Sequence, residues 1–309
     1  MIRALEVAFS VLMLSAYCGC SGGGSSWREV KAFADDYALN DLWVFGPDDV
    51  WAVGQAIHRF DGTDWTLQPS ENHAGFTAIW GFSPEDVWIA GGDTLLHWDG
   101  SSLARTDLGA QGMQSATAIW GLAPDRLWIA GDSATVLHWN GSSWARRNTP
   151  CSSNTSIFGF SENDLWTQGT FGTCHYDGSD WTEVELEIWG GGGDVFGFST
   201  DDVWVVAESA EAAHWDGAQW TIFENGGFVG ELSSLWGPRS DDLWGVGTAG
   251  AIAHFDGRRW TQVTHQVIGS PFLRMFHAVH GSSAEEVWAV GTELGANRNC
   301  SLVFRYQAD

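Results

Sequence analysis

Five histidines in this sequence stand directly before an aromatic residue and an Asp or Asn: His97, His138, His175, His214 and His254. A set of imidazoles suggests metal ligation or proton transfer. Arg59 and Arg305 take the same slot, however, and a guanidinium cannot ligate a metal although it donates hydrogen bonds as imidazole does. The slot also recurs along the chain at wide intervals, so its members do not converge on one tetrahedral ion. The pattern predicts donors to acidic turn residues such as Asp86, Asp202 and Asp242, with no metal centre and no cofactor. Carboxylates are the other abundant reactive group, and two of them about 5–9.5 Å apart would suffice for glycoside hydrolysis. Gly-x-Ser-x-Gly, His-Glu-x-x-His and phosphate-loop motifs are absent from residues 27–309.

The slots belong to a repeat. An apolar residue, an aromatic or His and a Gly are followed by an acidic turn, Asp-Val/Leu-Trp, a short apolar run, and then His-Trp-Asp-Gly-x-x-Trp; residues 79–102 give the clearest copy. The Trp of the Asp-Val/Leu-Trp step falls at Trp51, Trp88, Trp128, Trp166, Trp204, Trp244 and Trp288. Seven copies of roughly 40 residues indicate a radial or solenoid repeat. Nearly all the 21 Trp occupy repeat positions, with Trp43 and Trp189 read as outside them, so the indoles form a core and not a binding stripe. Each copy reads as four short strands. The second is apolar throughout, which requires burial on both faces by neighbouring copies. Asp61-Gly62, Asp99-Gly100, Asp177-Gly178, Asp216-Gly217 and Asp256-Gly257 are hairpin turns, with Asn140-Gly141 a variant. The expectation is an all-β, seven-bladed β-propeller of four-stranded antiparallel blades. The seventh copy stops at Phe304 and Tyr306 without a fourth strand, and Trp27–Val30 matches one. The N-terminal strand therefore completes the last blade, with Trp27, Val30, Phe304 and Tyr306 closing the ring.

Composition agrees with a large core. Of 309 residues, 44% are hydrophobic and 17% charged, which excludes disorder, collagen and coiled coil. A net charge of −25, with Lys31 as the sole lysine, excludes nucleic-acid binding through a basic patch.

Two resemblances add to this reading. Tyr17-Cys18-Gly19-Cys20, after a short apolar run and before a Gly/Ser stretch, resembles the lipobox of bacterial lipoproteins. It implies a signal peptide over residues 1–19, lipidation at Cys20, a tether over 20–26 and a single propeller over 27–309. The implied address is the bacterial cell envelope, lipid-anchored at the outer membrane or cell surface, or else secretion, with membrane contact only through the lipid. The Asp-Gly-x-x-Trp turns resemble the Asp-box of BNR-type propellers, a family that includes sialidases, photosystem-assembly propellers and many bacterial surface proteins. The Phe/Tyr-Arg-Ile-Pro signature of sialidases is missing, and Tyr37, Tyr176 and Tyr306 sit at scattered repeat positions.

Acidic residues crowd the first-to-second and third-to-fourth turns, which strand alternation places on one face. Weak divalent-cation binding there is a secondary expectation. The opposite, outward face carries the loops that differ between copies, where specificity resides. Its longest loops, 264–277 and 292–301, are joined by 31–40 beside blade seven. They offer His265, Phe272, Arg274, Phe276, His277, Glu293, Asn297, Arg298 and Asn299 as the candidate binding site. Cys151 and Cys174, both on blade four, are expected to pair in an oxidising compartment, leaving Cys300 free. Function reads as a non-catalytic, surface-anchored propeller binding an envelope protein or glycan. The alternatives are a glycoside hydrolase or lyase of the BNR-propeller type and an envelope-complex assembly or scaffold factor.

Overall fold

The computed structural model describes residues 26–33, 38–70, 75–186, 188, 192–207, 211–224, 230–263, 273–295 and 299–307. Cys20, Trp189, His265, Phe272, Asn297 and Arg298 lie outside these residues.

Local chemistry sets each blade. In blade one, Leu39–Gly46, Asp49–Gly54, Ile57–Phe60 and Trp65–Gln68 pair in that order, each antiparallel to the last. The second strand is buried from Val50 to Gly54, as its unbroken apolar run requires. At the turn into the fourth strand, the Asp61 carboxylate accepts the backbone N–H groups of Thr63 and Asp64, both at 2.9 Å, and Gly62 takes a φ of +89°. Asp99, Asn140, Asp177, Asp216 and Asp256 cap their turns in the same way. These hydrogen bonds hold the Asp61, Asp99, Asp177, Asp216 and Asp256 carboxyls below the usual carboxylate range.

Seven such four-stranded sheets form the described structure. Each of its seven apolar clusters joins one blade to the next. Trp51, Val53 and Ile57 meet Phe76, Ile79 and Ile89 between blades one and two, and the series continues around to Leu39, Leu42 and Val50 against Trp288, Val290 and Val303 between blades one and seven. A sheet apolar on both faces is thus covered on both faces, and the covering runs in a circle.

Blade seven closes the circle. Its strands Arg274–Ser283, Glu286–Glu293 and Cys300–Gln307 are completed by Ser26–Phe33, which pairs antiparallel with Cys300–Gln307. Trp27 is fully buried, 5.3 Å from Trp244 of blade six and 5.9 Å from Tyr306, and Phe304 is fully buried beside it. Val30 departs from the expectation. The register shifts between Glu29 and Lys31, and the bulge turns Val30 outward to 43% exposure. Beyond the bulge, Phe33 packs on His58 at 4.3 Å and on Trp65, tying this strand to blade one.

Trp43 also departs from the expectation. It pairs with Trp51 as Trp80 pairs with Trp88 and Trp120 with Trp128, so it is a full member of the repeat. The other innermost strands carry Phe158, Phe196, Trp236 and His280 at this position. A Gly follows the aromatic in the other blades, and in all of them but blade six a ring of the neighbouring blade lies on it: a Cβ at Gly81 would sit 2.3 Å from Phe45 and 2.7 Å from Trp43. In blade one that residue is Val44, whose neighbour is the smaller ring of His280.

Candidate functional site

Three groups of polar residues compete for the role of a functional site. The first is the repeated His/Arg slot. His97, His175, His214 and His254 each place Nε2 2.8 Å from Asp86, Asp164, Asp202 and Asp242 of their own blade. Arg59 pairs with Asp49 at 2.9 Å, and Arg305 with Glu286 at 2.7 Å. Every one of these side chains also lies over the Trp of its second strand, from 3.9 Å for His97 on Trp88 to 5.0 Å for Arg305 on Trp288. They are braces that fasten the third strand to the first turn. His138 is the exception: Arg126 stands where the other blades have an acid, and the buried Nε2 has no hydrogen-bond partner. Burial pushes its pKa down, partly offset by Glu162. Among the described residues no three His, Cys, Asp or Glu side chains are placed to hold a metal ion.

The second group is the predicted cluster beside blade seven. Arg274, Phe276, His277 and Glu293 are not loop residues. They lie in strands that run two to three residues further outward than their counterparts; the second strand of blade seven extends to Glu293, five residues past Trp288, whereas that of blade one ends at Gly54, three past Trp51. At about 3.3 Å per residue, the second strand of blade seven continues roughly 7 Å past the point where that of blade one ends. Arg274 is buried, with its guanidinium 2.9 Å from Glu293 and 3.3 Å from Glu29 and over the Phe304 ring. Burial raises the pKa of Glu29, Arg274 lowers it, and the like charge of Glu293 adds to the rise. Phe276 is core. Asn299 is exposed just before the third strand. The residues that this extension, the crest, does present are Leu273, Met275 and Leu294, exposed at 44%, 37% and 41%. Cross-strand pairing places Met275 beside Thr292 and the Leu294 N–H on the Leu273 carbonyl, so the three share one face of the hairpin, opposite Arg274 and Glu293. Sequence reading missed them because isolated apolar residues between copies carry no periodicity.

Nearby, Cys300 is a free, half-buried thiol, while Cys151 and Cys174 on blade four form a disulfide with Cα atoms 6.0 Å apart.

The third group lines the axis. The outward halves of the seven innermost strands line a half-open cavity of about 260 Å³. Toward the acidic face the cavity meets a girdle of rings: Trp43 lies 4.6 Å from Trp80 and 4.2 Å from His280, and Phe158 lies 5.1 Å from Phe196. Asn40, Thr77 and Thr117 each donate to a carbonyl of the next blade, at or just before the start of its innermost strand, at 2.6–2.8 Å. Asp41 accepts the N–H groups of Leu42 and Ile79; Asp194 accepts Ser156 Oγ–H and the Leu235 N–H. Burial pushes Asp41 up to about 7, against its backbone donors and with the charge of Asp194 adding to the rise. Asp194 is raised by burial too. His280 accepts the Val44 N–H on Nδ1 at 3.1 Å, which leaves its proton on Nε2, and burial lowers its pKa to about 3. His277 is lowered by burial as well and reaches Thr292 at 3.2 Å. Of the predicted cluster, only His277 lines this cavity.

The sequence matches no protein-family model and no curated protein. Solved structures do resemble it. A structure described as YCF48 bound to D1 peptide shares 17% identity over 93% of this chain and 98% of its own, with a TM-score of 0.70. YCF48 from Cyanidioschyzon merolae shares 13% over 91% and 99%, with a TM-score of 0.72. The WD40 β-propeller domain of Doa1 shares 8% over 91% and 97%, with a TM-score of 0.71. At these identities the likeness is one of fold: the chain is a seven-bladed β-propeller, closed by its N-terminal strand.

Proposed function

We propose that the chain is a non-catalytic binding propeller, lipid-anchored at the bacterial envelope through Cys20, that holds a protein partner on its outward face. The observation that carries this reading is the crest of blade seven. Three of the eight exposed large apolar side chains among the described residues, Leu273, Met275 and Leu294, gather on its extended strands, on the face opposite the Arg274–Glu29–Glu293 ion cluster. Exposed apolar side chains grouped on one strand face suit a protein-docking surface. The neighbour described as bound to a D1 peptide supports a protein partner in general. An assembly or scaffold role is the same physics with a complex subunit as the partner.

The test is capture from envelope extract, run beside a glycan array. Leu273→Asp with Leu294→Asp is expected to abolish capture, while Leu122→Asp at the opposite end of an innermost strand leaves it intact. Equal capture by both variants, or a glycan signal indifferent to the crest, overturns the reading. Labelling with palmitate, lost in Cys20→Ser, tests the anchor.

The axial carboxylates favour a second reading, a glycoside hydrolase or lyase, because a carboxyl raised to about 7 suits a general acid. Against it, both oxygens of Asp41 already accept backbone N–H groups. Turnover of an envelope polysaccharide that is lost in Asp41→Asn would favour the enzyme.

A further inference from the structure

The axial cavity carries charge that its packing does not need. At the strand position of Asp41 and Asp194, the other blades have Ala78, Ala118, Ser156, Ser234 and Ala278. Ser156 and Ser234 accept the next strand's backbone N–H, from Val195 and Val279, as Asp41 and Asp194 accept Ile79 and Leu235. A hydroxyl is therefore enough to staple one blade to the next. Placing carboxylates there adds two buried acids to the wall of a half-open cavity, at a cost in desolvation.

Nothing in the cavity offsets them. Its titratable lining groups are Asp41, Asp194, His277 and His280, and no Lys or Arg lines it among the described residues. Burial keeps both imidazoles neutral near pH 7. A carboxylate has about four lone-pair sites, and Asp41 accepts two hydrogen bonds, which leaves room there for a further donor. The lining also includes the aromatic side chains of Trp43, Trp80, Phe158, Phe196 and Trp236, and aromatic rings attract cations and not anions over their faces.

We propose that this cavity binds an alkylammonium group, either the side chain of a partner lysine or a free small amine, between Asp41 and Asp194 and against the indole faces. The lysine form rests on the binding reading above and adds to it an axial anchor beside the crest.

The test uses the full chain and n-butylammonium, which reproduces a lysine side chain, with 1-butanol as the neutral probe and ionic strength matched. Tryptophan indole N–H resonances report occupancy, and calorimetry in two buffers of different ionisation heat reports protons. Butylammonium is expected to shift a subset of indole resonances saturably and to release a fraction of a proton at pH 7, because a cation favours ionised Asp41. Affinity is expected to fall about tenfold or more at pH 5, and likewise in Asp41→Asn and in Asp194→Asn, as one charge partner is removed. An exterior control, Glu85→Gln, is expected to change nothing. Equal binding of butanol, an undiminished affinity in Asp194→Asn, or shifts abolished by Glu85→Gln overturns the proposal. A lysine dipeptide amide that outbinds butylammonium assigns the site to a partner; one excluded from the cavity assigns it to a free amine. No partner is present in the titration, so its failure removes the cavity proposal alone, and failed capture removes the crest alone.

Discussion

At position 138 an imidazole stacks on Trp128 at 4.3 Å as its counterparts stack on theirs, yet the acid it would bond is replaced by Arg126. Arg126→Asp is expected to raise the His138 pKa, now held down by burial, and the shift is readable by NMR titration. The brace itself was legible in the sequence, because His and Arg alternating in one slot share donation and nothing else. Val44 shows the opposite. It replaces the Gly that marks the innermost strand elsewhere, and so it hid Trp43 from the repeat pattern. Its size is permitted by His280, whereas Gly81 lies under Phe45 and Trp43. Gly81→Val is therefore expected to cost about 1–3 kcal/mol in chemical denaturation through overpacking. Asp41 and Asp194 were not legible at all, being two acids among 39 at a position that is Ala or Ser in the other blades. With a pKa of about 7, Asp41 contributes stability that is fully present below about pH 4 and lost as pH rises through 7. His280, lowered to about 3, runs the other way, its contribution being lost as pH falls below about 6.5. The Tm of Asp41→Asn should consequently gain on that of the parent between pH 4 and pH 8; a constant difference would refute the assignment.

At the scale of strands and loops, blade four joins the loop before its first strand to its third strand by the Cys151–Cys174 disulfide, with 23 residues of sequence separation. Cys174→Ser is expected to lower stability by about 2–4 kcal/mol, and a non-reduced peptide map should contain the linked pair. The two cysteines were legible because each fell on the outward side of one copy of the repeat. The outward reach of blade seven's strands was not. The long interval before Trp288 indicated extra residues, and extra residues between strands are read as loop. Here they lengthen the strands instead: Arg274 finds two carboxylates, Phe276 finds the core, and pairing continues past the usual end. Such continuation depends on contacts with Glu29, a residue remote in sequence, and local pattern carries no trace of it.

For the whole molecule, the ring is the unit of stability, since each described apolar core is shared by two blades. Trp27, buried between Trp244 and Tyr306, is where the ring is shut. Trp27→Ala is expected to cost about 3–5 kcal/mol, and an unchanged melting temperature would contradict closure through this residue. Seven repeats made the ring legible, and a fourth-strand motif at the front of the domain made its joint legible. That joint also orders events in time. Ser26–Phe33 is synthesised early and Cys300–Gln307 late, so the first-made strand must stay unpaired while six blades take shape beside it. Closing so long a loop is slow, and the waiting edge is open to wrong partners meanwhile. Shielding this segment until synthesis is complete is therefore expected to raise the yield of folded protein.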